Sequence, residues 1–432
     1  MIVQMQSVNF EFSENEQFST KLFRFDVKEG TNKLSLRFVY KNVGIVKNEL
    51  KVLVYDSCGE FRGWMSQEKR ELLIAIKEAS VNGIKGYIPS GEWMILIESG
   101  TILHALRYTV EISPQVGEIH KNWYTGELHS HTTRSDGTMC LSELINEAKK
   151  HKLDFLFVTD HDMPLRRNNE LDSDLKVFPG VEITSYKGHA LALGIERHIN
   201  PQLMAENLEL SSKLVRNDGG VFGIAHPFFP PSPYCSGCKW SYKLSPASID
   251  FLELWNSGGT ASFFPGFNLA TLSLWVGFLN KGLKICATSG GDIHNDKDFN
   301  DLWLPYHVRA TELSLKSIIC SIKTGKGYAS KENFYFEVLY KDKKYYCGDT
   351  INVAKDDFVE VMASSEAADK TLLLTSAGVM NFDTSSFNKK FRARDVKWLS
   401  ILFLHRETIV GFSNPVFLRI LGNSNAQVEE QK

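Results

Sequence analysis

The stretch LSELINEAKKHKLDFLFVTDHD, residues 141–162, decides the fold class of this chain. In its first half, Leu141, Leu144, Ile145 and Ala148 recur at the i, i+3, i+4 and i+7 positions of one helical face. In its second half, the run DFLFVTD encloses four apolar residues, a length typical of a buried strand. Helices that alternate with buried strands imply parallel strands, in an open sheet or in a barrel.

The segments before and after this α/β region have strand-like patterns instead. From Ser19 to about Ser113 the chain carries alternating runs such as KLFRFDV and ELKVLVYD, separated by turn residues, which is typical of a β-sandwich. After Lys331 the helical pattern ends and runs such as FYFEVLY and WLSILFLH return. We therefore expect a multidomain α/β plus β protein with an N-terminal β-sandwich (1–118), a central α/β domain (119–330), a C-terminal β-rich domain (331–425) and a frayed tail from Asn423.

The composition excludes several classes of protein. With 43% hydrophobic and 23% charged residues, the 432-residue chain is too apolar for intrinsic disorder as its main state. The 49 basic and 51 acidic residues leave a net charge of −2, so there is no excess positive field to hold a long polyanion. The seven scattered cysteines and the absence of a signal-like opening favour a cytoplasmic protein. We expect no membrane partner, and the sequence does not indicate an oligomeric state.

Side chains that can bind metal recur at the ends of the apolar runs in the central region. In GELHSH, residues 126–131, the two histidines are two residues apart and would project from the same face of a strand. The other short motifs are SDG (135–137), TDHD (159–162), GVE (180–182), GH (188–189), AHP (225–227) and GDIH (291–294). Because functional side chains of α/β proteins collect at strand ends, these motifs together predict one site.

The ordered motifs GELHSHTTRSDG, VTDHD, PGVEIT, GHALALG, IAHP and GGDIH resemble those of PHP-domain (polymerase and histidinol phosphatase) metal-dependent hydrolases. Within that superfamily the chain is most similar to the CehA/McbA-type metallohydrolases, because it also carries FRGWMS, FLELWNSG and LKICATSGGDIH. The resemblance implies a distorted (β/α)7 barrel. It also implies nine metal ligands, which are His129, His131, Asp136, His161, Glu182, His189, His226, Asp292 and His294.

The chemistry of these nine side chains agrees with the resemblance. Six imidazoles and three carboxylates, with no thiolate among them, suit zinc, manganese or iron. A catalytic zinc takes three protein ligands plus water, so nine donors are too many for one ion. We therefore expect two or three divalent transition metal ions as cofactors, with Glu182 as a bridging ligand.

Further polar residues near the motifs are candidates for catalysis and substrate binding. The carboxylates that flank His161 could orient its imidazole or act as a general acid. Arg134 lies next to the predicted ligands and could face an anion, and Arg166 follows the TDHD turn. The candidate catalytic residues are Asp160, Asp162 and Arg134, and the candidate substrate-binding residues are Arg166 and Asn256.

The remaining cysteine and histidine residues do not form a recognisable motif. Cys235 and Cys238 have no second CxxC pair and follow the run FFPPSPY, so we expect a plain inserted loop whose role stays open. The other histidines are not expected to bind metal: His104, His120, His151, His198, His307 and His405.

The function predicted from the sequence is metal-dependent hydrolysis of a phosphoester by a metal-activated hydroxide at a di- or trinuclear site. The alternative is a carbamate, carboxylic ester or amide hydrolase with the same metal centre, since relatives in the resembled group are associated with such reactions. The third hypothesis is a non-catalytic carbohydrate-binding metalloprotein, because the flanking β domains resemble carbohydrate-recognition modules. We expect a small anionic or ester substrate, and a short oligonucleotide is a further candidate.

Overall fold

The computed structural model describes residues 5–28, 30–40, 48–57, 59–76, 78–116, 122–166, 174–243, 245–258, 266–332 and 334–421. Contacts divide the chain into two compact units, Met1–Lys121 and Asn122–Lys432. The predicted domain boundary at 118/119, His120 and the tail from Asn423 all lie outside the described residues.

The first unit consists of two antiparallel sheets that share one apolar core. Their strand orders are β1-β8-β3-β6 and β2-β7-β4-β5. In β7 the alternation of side chains buries Trp93, Ile95 and Ile97 and exposes the residues between them more. The strands are β1 Gln6–Phe12, β2 Thr20–Val27, β3 Thr31–Tyr40, β4 Leu50–Tyr55, β5 Phe61–Ser66, β6 Glu71–Ala75, β7 Gly91–Ser99 and β8 Leu106–Val116.

The second unit begins with alternating strands and helices. Its strands up to residue 330 are β9 Asn122–Glu127, β10 Phe155–Val158, β11 Lys176–Ser185, β12 Gly188–Leu193, β13 Val221–Ile224, β14 Phe251–Asn256, β15 Cys286–Gly290, β16 Tyr306–Ala310 and β17 Gly327–Ser330. Its helices are α1 Leu141–Lys150, α2 Pro201–Glu206, α3 Leu208–Asn217, α4 Gly266–Asn280 and α5 Leu315–Lys323.

The predicted helical face and buried strand of residues 141–162 are both present. Helix α1 buries Leu144, Ile145 and Ala148, and Leu141 packs partly buried against the same cluster. Every residue of β10 is buried, as expected for a strand that has neighbours on both sides. Strand β10 pairs in parallel with β9 and with β11.

A (β/α)7 barrel is not shown by the strand pairing. The order β15-β14-β13-β12-β11-β10-β9-β16-β17 is an open path, and β12 runs antiparallel to both of its neighbours. A turn between Ser185 and Gly188 joins β11 to β12 and leaves no room for a helix there. The two ends of the β9–β15 path approach each other at an isolated parallel bridge between Ser130 and Ile293.

Some of the C-terminal strands extend the same sheet, and the others form a separate sheet. The sheet continues from β17 through β26, β25 and β22 to β23, and β20 and β27 join it at the side. A further sheet, β19-β18-β21-β24, packs against it over a shared core. The strands are β18 Phe334–Tyr340, β19 Lys343–Tyr345, β20 Thr350–Val353, β21 Phe358–Ser365, β22 Lys370–Thr375, β23 Gly378–Phe382, β24 Ser386–Arg392, β25 Trp398–His405, β26 Thr408–Ser413 and β27 Val416–Ile420.

Asn414, just after β26, forms hydrogen bonds to the central strands β15 and β17. Its side-chain oxygen accepts a hydrogen bond from the backbone N–H of Ala287 in β15 at 2.8 Å. Its amide group donates to the carbonyl oxygens of Ala287 at 2.9 Å and Gly327 at 3.0 Å. Because Asn414 is fully buried, these bonds satisfy an amide that would otherwise be costly to desolvate.

None of the helices in the described part of the chain has the length and apolar character that a membrane crossing requires.

Candidate metal centre

The predicted metal ligands lie at or just beyond the ends of neighbouring strands. His129 and His131 follow β9, His161 follows β10, and Asp292 and His294 follow β15. The backbone N–H of His131 donates to the carbonyl oxygen of Ile293 at 2.8 Å, and the N–H of Ile293 donates to His129 at 3.1 Å. These two bonds bring the histidine pair after β9 beside the Asp292–His294 pair.

Glu182 in β11 occupies the centre of the cluster and is fully buried. Its Oε2 lies 3.2 Å from His129 Nε2, 3.3 Å from His131 Nε2 and 3.1 Å from His161 Nδ1. Its Oε1 lies 3.0 Å from His189 Nδ1 and 3.1 Å from His226 Nε2. Each carboxylate oxygen therefore faces its own set of imidazoles.

The donor atoms converge in overlapping groups, each compact enough for a metal ion. Within each group the donor atoms lie within 4.8 Å of one another. The groups are His129, His131, Glu182 and Asp292; His131, Asp136, His161 and His294; His161, Glu182 and His189; His189, His226 and Cys238; and His129, His226 and Glu253. All nine predicted ligands thus belong to at least one group.

Several of these buried atoms are close together without being hydrogen-bonded. In the described residues, His129 Nε2, His131 Nε2 and Glu182 Oε2 have no hydrogen-bond partner, although the two nitrogens lie 3.2 and 3.3 Å from that oxygen. Buried polar atoms are normally satisfied, so atoms that face a common point without bonding one another fit ligands of a cation. The donor set of imidazoles and carboxylates fits divalent transition metals in the same way.

The electrostatics of the cluster also favour positive charge at its centre. Burial lowers the pKa of His129, but Asp292, Glu253 and Glu182 together raise it well above its ordinary value. Burial also lowers the pKa values of His161 and His294, but neighbouring carboxylates outweigh it. They raise the pKa of His161 to about 9 and that of His294 to about 10. The pKa of Glu182 is held well below its usual range, against burial, by His129, His161 and His189. Without a metal ion, protons on the imidazoles supply the charge that the carboxylates require.

Glu253 in β14 orients the ligands, although its sequence position alone did not indicate that role. Its Oε1 lies 2.8 Å from His129 Nδ1, and its Oε2 accepts a hydrogen bond from the backbone N–H of His226 at 2.8 Å. The amide of Asn256 donates to the same Oε2 at 3.1 Å and lies 3.5 Å from Asp292 Oδ2. Asn256, which was predicted to bind substrate, is fully buried and contacts Glu253 and Asp292.

Glu127 joins the ends of β9 and β15 and was also missed, even though it belongs to the GELHSH motif. Its Oε1 accepts hydrogen bonds from the N–H groups of Leu128, His129 and Gly291 at 2.7 to 2.9 Å. Its Oε2 accepts a bond from Trp303 Nε1 at 2.6 Å. Burial raises the pKa of Glu127 to about 7, and these hydrogen bonds oppose the rise.

The two aspartates beside His161 occupy different environments. Asp160 is fully buried and accepts hydrogen bonds from the N–H of Thr132 at 2.6 Å and from the hydroxyl of Ser135 at 2.9 Å, so it holds the loop between His131 and Asp136. Asp162 accepts a hydrogen bond from the N–H of Thr184 at 3.0 Å. The His161 imidazole itself contacts the Thr184 hydroxyl at 2.6 Å and not either aspartate carboxylate.

A cavity of about 420 Å³ lies beside Asp162. Arg134 and Arg166 are both exposed side chains and contribute to its wall. The guanidinium of Arg134 reaches the carbonyl oxygen of Pro164 at 3.4 Å. The full set of lining residues is Arg134, Asp162, Met163, Pro164, Arg166 and His198.

The histidines that were not expected to bind metal lie outside these groups where the structure describes them. His307 contacts Thr125 Oγ1 at 3.0 Å and the carbonyl oxygen of Ser330 at 2.7 Å. His151 stacks on Phe299 with a ring-centroid distance of 4.5 Å. By contrast, the structure places Cys238 within 3.9 Å of His189 Nδ1, although a plain loop was expected there.

Comparison with known proteins finds no matching family model and no matching curated protein. Among solved structures, the chain is similar to a two-domain protein from Bacteroides vulgatus, described as containing a predicted PHP-like metal-dependent phosphoesterase. The two chains share 13% identity at a TM-score of 0.38, over 70% of this chain and 97% of that one. A second similar structure is a protein from Bifidobacterium adolescentis described as a metal-dependent phosphoesterase, with 17% identity and a TM-score of 0.28 over 40% of this chain and 89% of that one. Since both TM-scores are below 0.5, neither likeness decides the fold or the activity of this chain.

Proposed function

We propose that this chain is a PHP-type metal-dependent hydrolase, of the CehA/McbA-type subgroup, that cleaves a phosphoester at a centre of two or three divalent ions. The observation that supports this most directly is the position of Glu182, whose two buried oxygens face separate sets of imidazoles. A carboxylate in this arrangement is suited to bridge two cations. Two cations held close together are a recurrent solution for hydrolysis of phosphoesters.

The proposed positions divide the nine ligands into three sets. His129, His131, Glu182 and Asp292 would hold one ion, and Glu182, His189 and His226 a second. Asp136, His161 and His294 would hold a third. Zinc, manganese and iron all suit these donors. Bound divalent ions would lower the pKa of a water molecule and offset the charge that develops on the attacking and leaving oxygens.

The chain's own residues would bind and orient the substrate. Arg134 and Arg166, which line the cavity that Asp162 also lines, are proposed to receive the anionic part of the substrate. Asp162 lines the same cavity and is proposed as the general acid that protonates the leaving group. Asp160, whose oxygens are engaged by Thr132 and Ser135, is proposed as a positioning residue.

We also propose that strands β9 to β15 form a distorted barrel, closed by the Ser130–Ile293 bridge and the backbone hydrogen bonds beside it. This arrangement would explain why ligands from both ends of the path, after β9 and after β15, reach the same cluster. A cytoplasmic location, which the sequence predicts, is part of the proposal.

The experiment that tests this function is a substrate comparison on purified, metal-loaded protein. Chromogenic phosphodiester, phosphomonoester, aryl carbamate and aryl acetate substrates are assayed alongside a short oligonucleotide. We expect turnover of a phosphoester, and a loss of at least about 100-fold in kcat for Glu182→Gln, because an amide cannot bridge two cations as a carboxylate does. Glu209→Gln, at an exposed carboxylate of α3, is the matched control that should leave turnover unchanged.

A preference for the carbamate or the acetate would replace the phosphoesterase assignment with the carbon-centred alternative at the same metal centre. Protein that holds no transition metal after loading with zinc or manganese would contradict both. Binding of carbohydrate without any hydrolysis would favour the non-catalytic hypothesis.

A further inference from the structure

The loop after β13 carries two cysteines that the proposed hydrolysis does not use. The structure pairs the sulfurs of Cys235 and Cys238, and their Cα atoms are 5.6 Å apart, within the usual range for a disulfide. Cys238 is buried, whereas Cys235 is half-buried and reaches solvent. The pair is therefore accessible from outside at Cys235 and buried at Cys238.

The loop that carries the two cysteines lies close to β11 and β12. His189 Nε2 lies 3.2 Å from the carbonyl oxygen of Ser236, between the two cysteines. Gly237 has a φ of 81°, and a Cβ at that position would lie 2.3 Å from the carbonyl oxygen of Ser185. Only glycine allows this close approach, so the placement of Cys238 beside His189 follows from the backbone of the loop.

Cys238 completes a set of donors around one side of Glu182. Its sulfur lies 3.9 Å from His189 Nδ1, and the donor atoms of Cys238, His189 and His226 all lie within 4.8 Å of one another. Glu182 Oε1 lies 3.0 and 3.1 Å from the same two histidines. His226 is only 3% exposed and Cys238 is likewise buried, so both side chains are shielded from water at this position.

We propose that Cys238 is a metal ligand at the position formed by Glu182, His189 and His226, and that Cys235 is its redox partner. The inference rests on the proposed metal centre. Two imidazoles, one carboxylate and one thiolate would give four protein donors, which suits tetrahedral zinc. Because a thiolate is a softer ligand than the nine imidazole and carboxylate side chains, it would favour zinc over manganese at this one position.

Thiol–disulfide exchange between Cys235 and Cys238 would convert the Cys238 thiolate to a disulfide sulfur, and reduction would restore the thiolate. The Cys235 thiolate attacks a disulfide R–S–S–R, a bond forms between Cys235 and one R–S group, and the other leaves as a thiolate that takes up a proton. The Cys238 thiolate then attacks the Cys235 sulfur and releases the second R–S group. The products are the Cys235–Cys238 disulfide and two R–SH molecules, so two electrons and two protons pass to the external disulfide. A disulfide sulfur is a much weaker metal ligand than a thiolate, so oxidation would lower metal affinity at this position alone.

The test uses cobalt(II) as a spectroscopic substitute for zinc in the full-length chain. Reduced, metal-free protein is loaded with cobalt, and the near-ultraviolet absorption that arises from thiolate-to-cobalt charge transfer is recorded. We expect this band in the wild type, in Cys235→Ser and in the control Cys140→Ser, whose thiol lies at the start of α1. We expect Cys238→Ser to lose the band while it still binds cobalt at the other positions.

The oxidation arm treats the cobalt-loaded proteins with oxidised glutathione, a linear disulfide, and bound metal is counted by elemental analysis. The wild type should lose the band together with about one ion per chain, and reductant should restore both, since the thiolate donor is removed and regenerated. Cys235→Ser should keep its band under the same treatment. A band that survives in wild type after mass spectrometry shows the Cys235–Cys238 disulfide would overturn the redox part.

Two results separate failure of this inference from failure of the proposed function. Wild type that binds cobalt with no thiolate band, or Cys238→Ser that retains the band, would overturn the assignment of Cys238 as a ligand and leave the metal centre standing. Reduced wild type that binds no cobalt and no zinc would contradict the metal centre itself. Because the wild-type spectrum decides the first question, the test does not depend on whether the Cys238 variant folds.

Discussion

Glu253 is a single buried carboxylate that contacts two of the proposed metal ligands. It contacts the imidazole of His129 through one oxygen and the backbone of His226 through the other, so it fixes both the tautomer of one ligand and the position of the next. Side chains of this kind tune metal affinity without touching the ion. The sequence FLELWNSG placed Glu253 at the end of an apolar run, but its partner His129 is far away in the chain and no local pattern connects them.

Glu253→Gln should weaken metal binding by about 10- to 100-fold, because an amide holds the His129 N–H less strongly than a carboxylate does. The measurement is a competition titration of zinc against a chromophoric chelator. Glu209→Gln changes an exposed carboxylate to the same amide and should leave the zinc affinity unaltered. Equal affinities for Glu253→Gln and wild type would show that the contact is structural only.

For Arg134, a role in binding the substrate anion can be distinguished from a role in catalysis by measuring KM and kcat separately. Its guanidinium is exposed at the cavity and lies 3.4 to 3.5 Å from the Pro164 carbonyl oxygen. Arg134→Ala should raise KM for a phosphoester by about 10-fold, since one charge-assisted contact to the substrate is lost. Arg197→Ala, which removes an exposed arginine paired with Asp218, provides the comparison. If kcat falls and KM does not change, Arg134 acts on the reacting atoms and not on binding.

At the scale of elements, β16 connects β9, which precedes His129 and His131, to β17 and the rest of the sheet. It pairs antiparallel with both β9 and β17, and His307, its second residue, contacts Thr125 on one side and the Ser330 carbonyl on the other. Burial lowers the pKa of His307 to about 4. The His307 imidazole is therefore neutral in the folded chain above about pH 4.

This pKa predicts a loss of stability in mild acid. Above about pH 6.5, His307 is neutral in both the folded and the unfolded chain, so its contribution is fully present. As the pH falls from about 6.5 to about 4, the unfolded chain gains a proton that the folded chain does not, and the free energy of unfolding falls by at most about 3 kcal/mol. Urea denaturation of metal-free wild type and His307→Gln across this range measures the difference. Parallel pH profiles for the two proteins would contradict the assignment.

The elements themselves could be predicted from the sequence where their periodicity is local. The spacing of Leu144, Ile145 and Ala148 predicted α1, and the all-apolar run after Asp154 predicted β10. The antiparallel hairpin of β11 and β12 was not predicted. The runs PGVEIT and GHALALG predict two strands, but they do not indicate whether the strands are parallel, as in a (β/α)7 barrel, or antiparallel. Strand direction depends on long-range pairing, which a single sequence does not record.

At the scale of the whole molecule, the contacts form two units, Met1–Lys121 and Asn122–Lys432. Strand patterns after Lys331 look the same whether those strands form a sheet of their own or extend a neighbouring sheet. The structure has both arrangements, since β17 pairs with β26 in one continuous sheet while β19-β18-β21-β24 form a separate one, and the division into three domains stays a prediction. The proximity of the nine candidate donors, in contrast, could be predicted, because each motif follows an apolar run.

A truncation experiment follows from this continuity. The fragment 122–432 should unfold cooperatively and bind zinc, whereas the fragment 119–330 should not, because it would expose the edge of β17 and the apolar surface that β25 and β26 cover. Thermal denaturation followed by circular dichroism, together with zinc analysis, compares the two fragments. A cooperative transition and bound zinc in 119–330 would establish the central region as an independent domain.

The hydrogen bonds of Asn414 to Ala287 also have a consequence for the order in which the molecule matures. A ribosome makes the chain from its N-terminus, so every side chain proposed as a metal ligand is translated well before Asn414. The two hydrogen bonds that Asn414 makes to Ala287 can therefore form only after translation has passed Asn414.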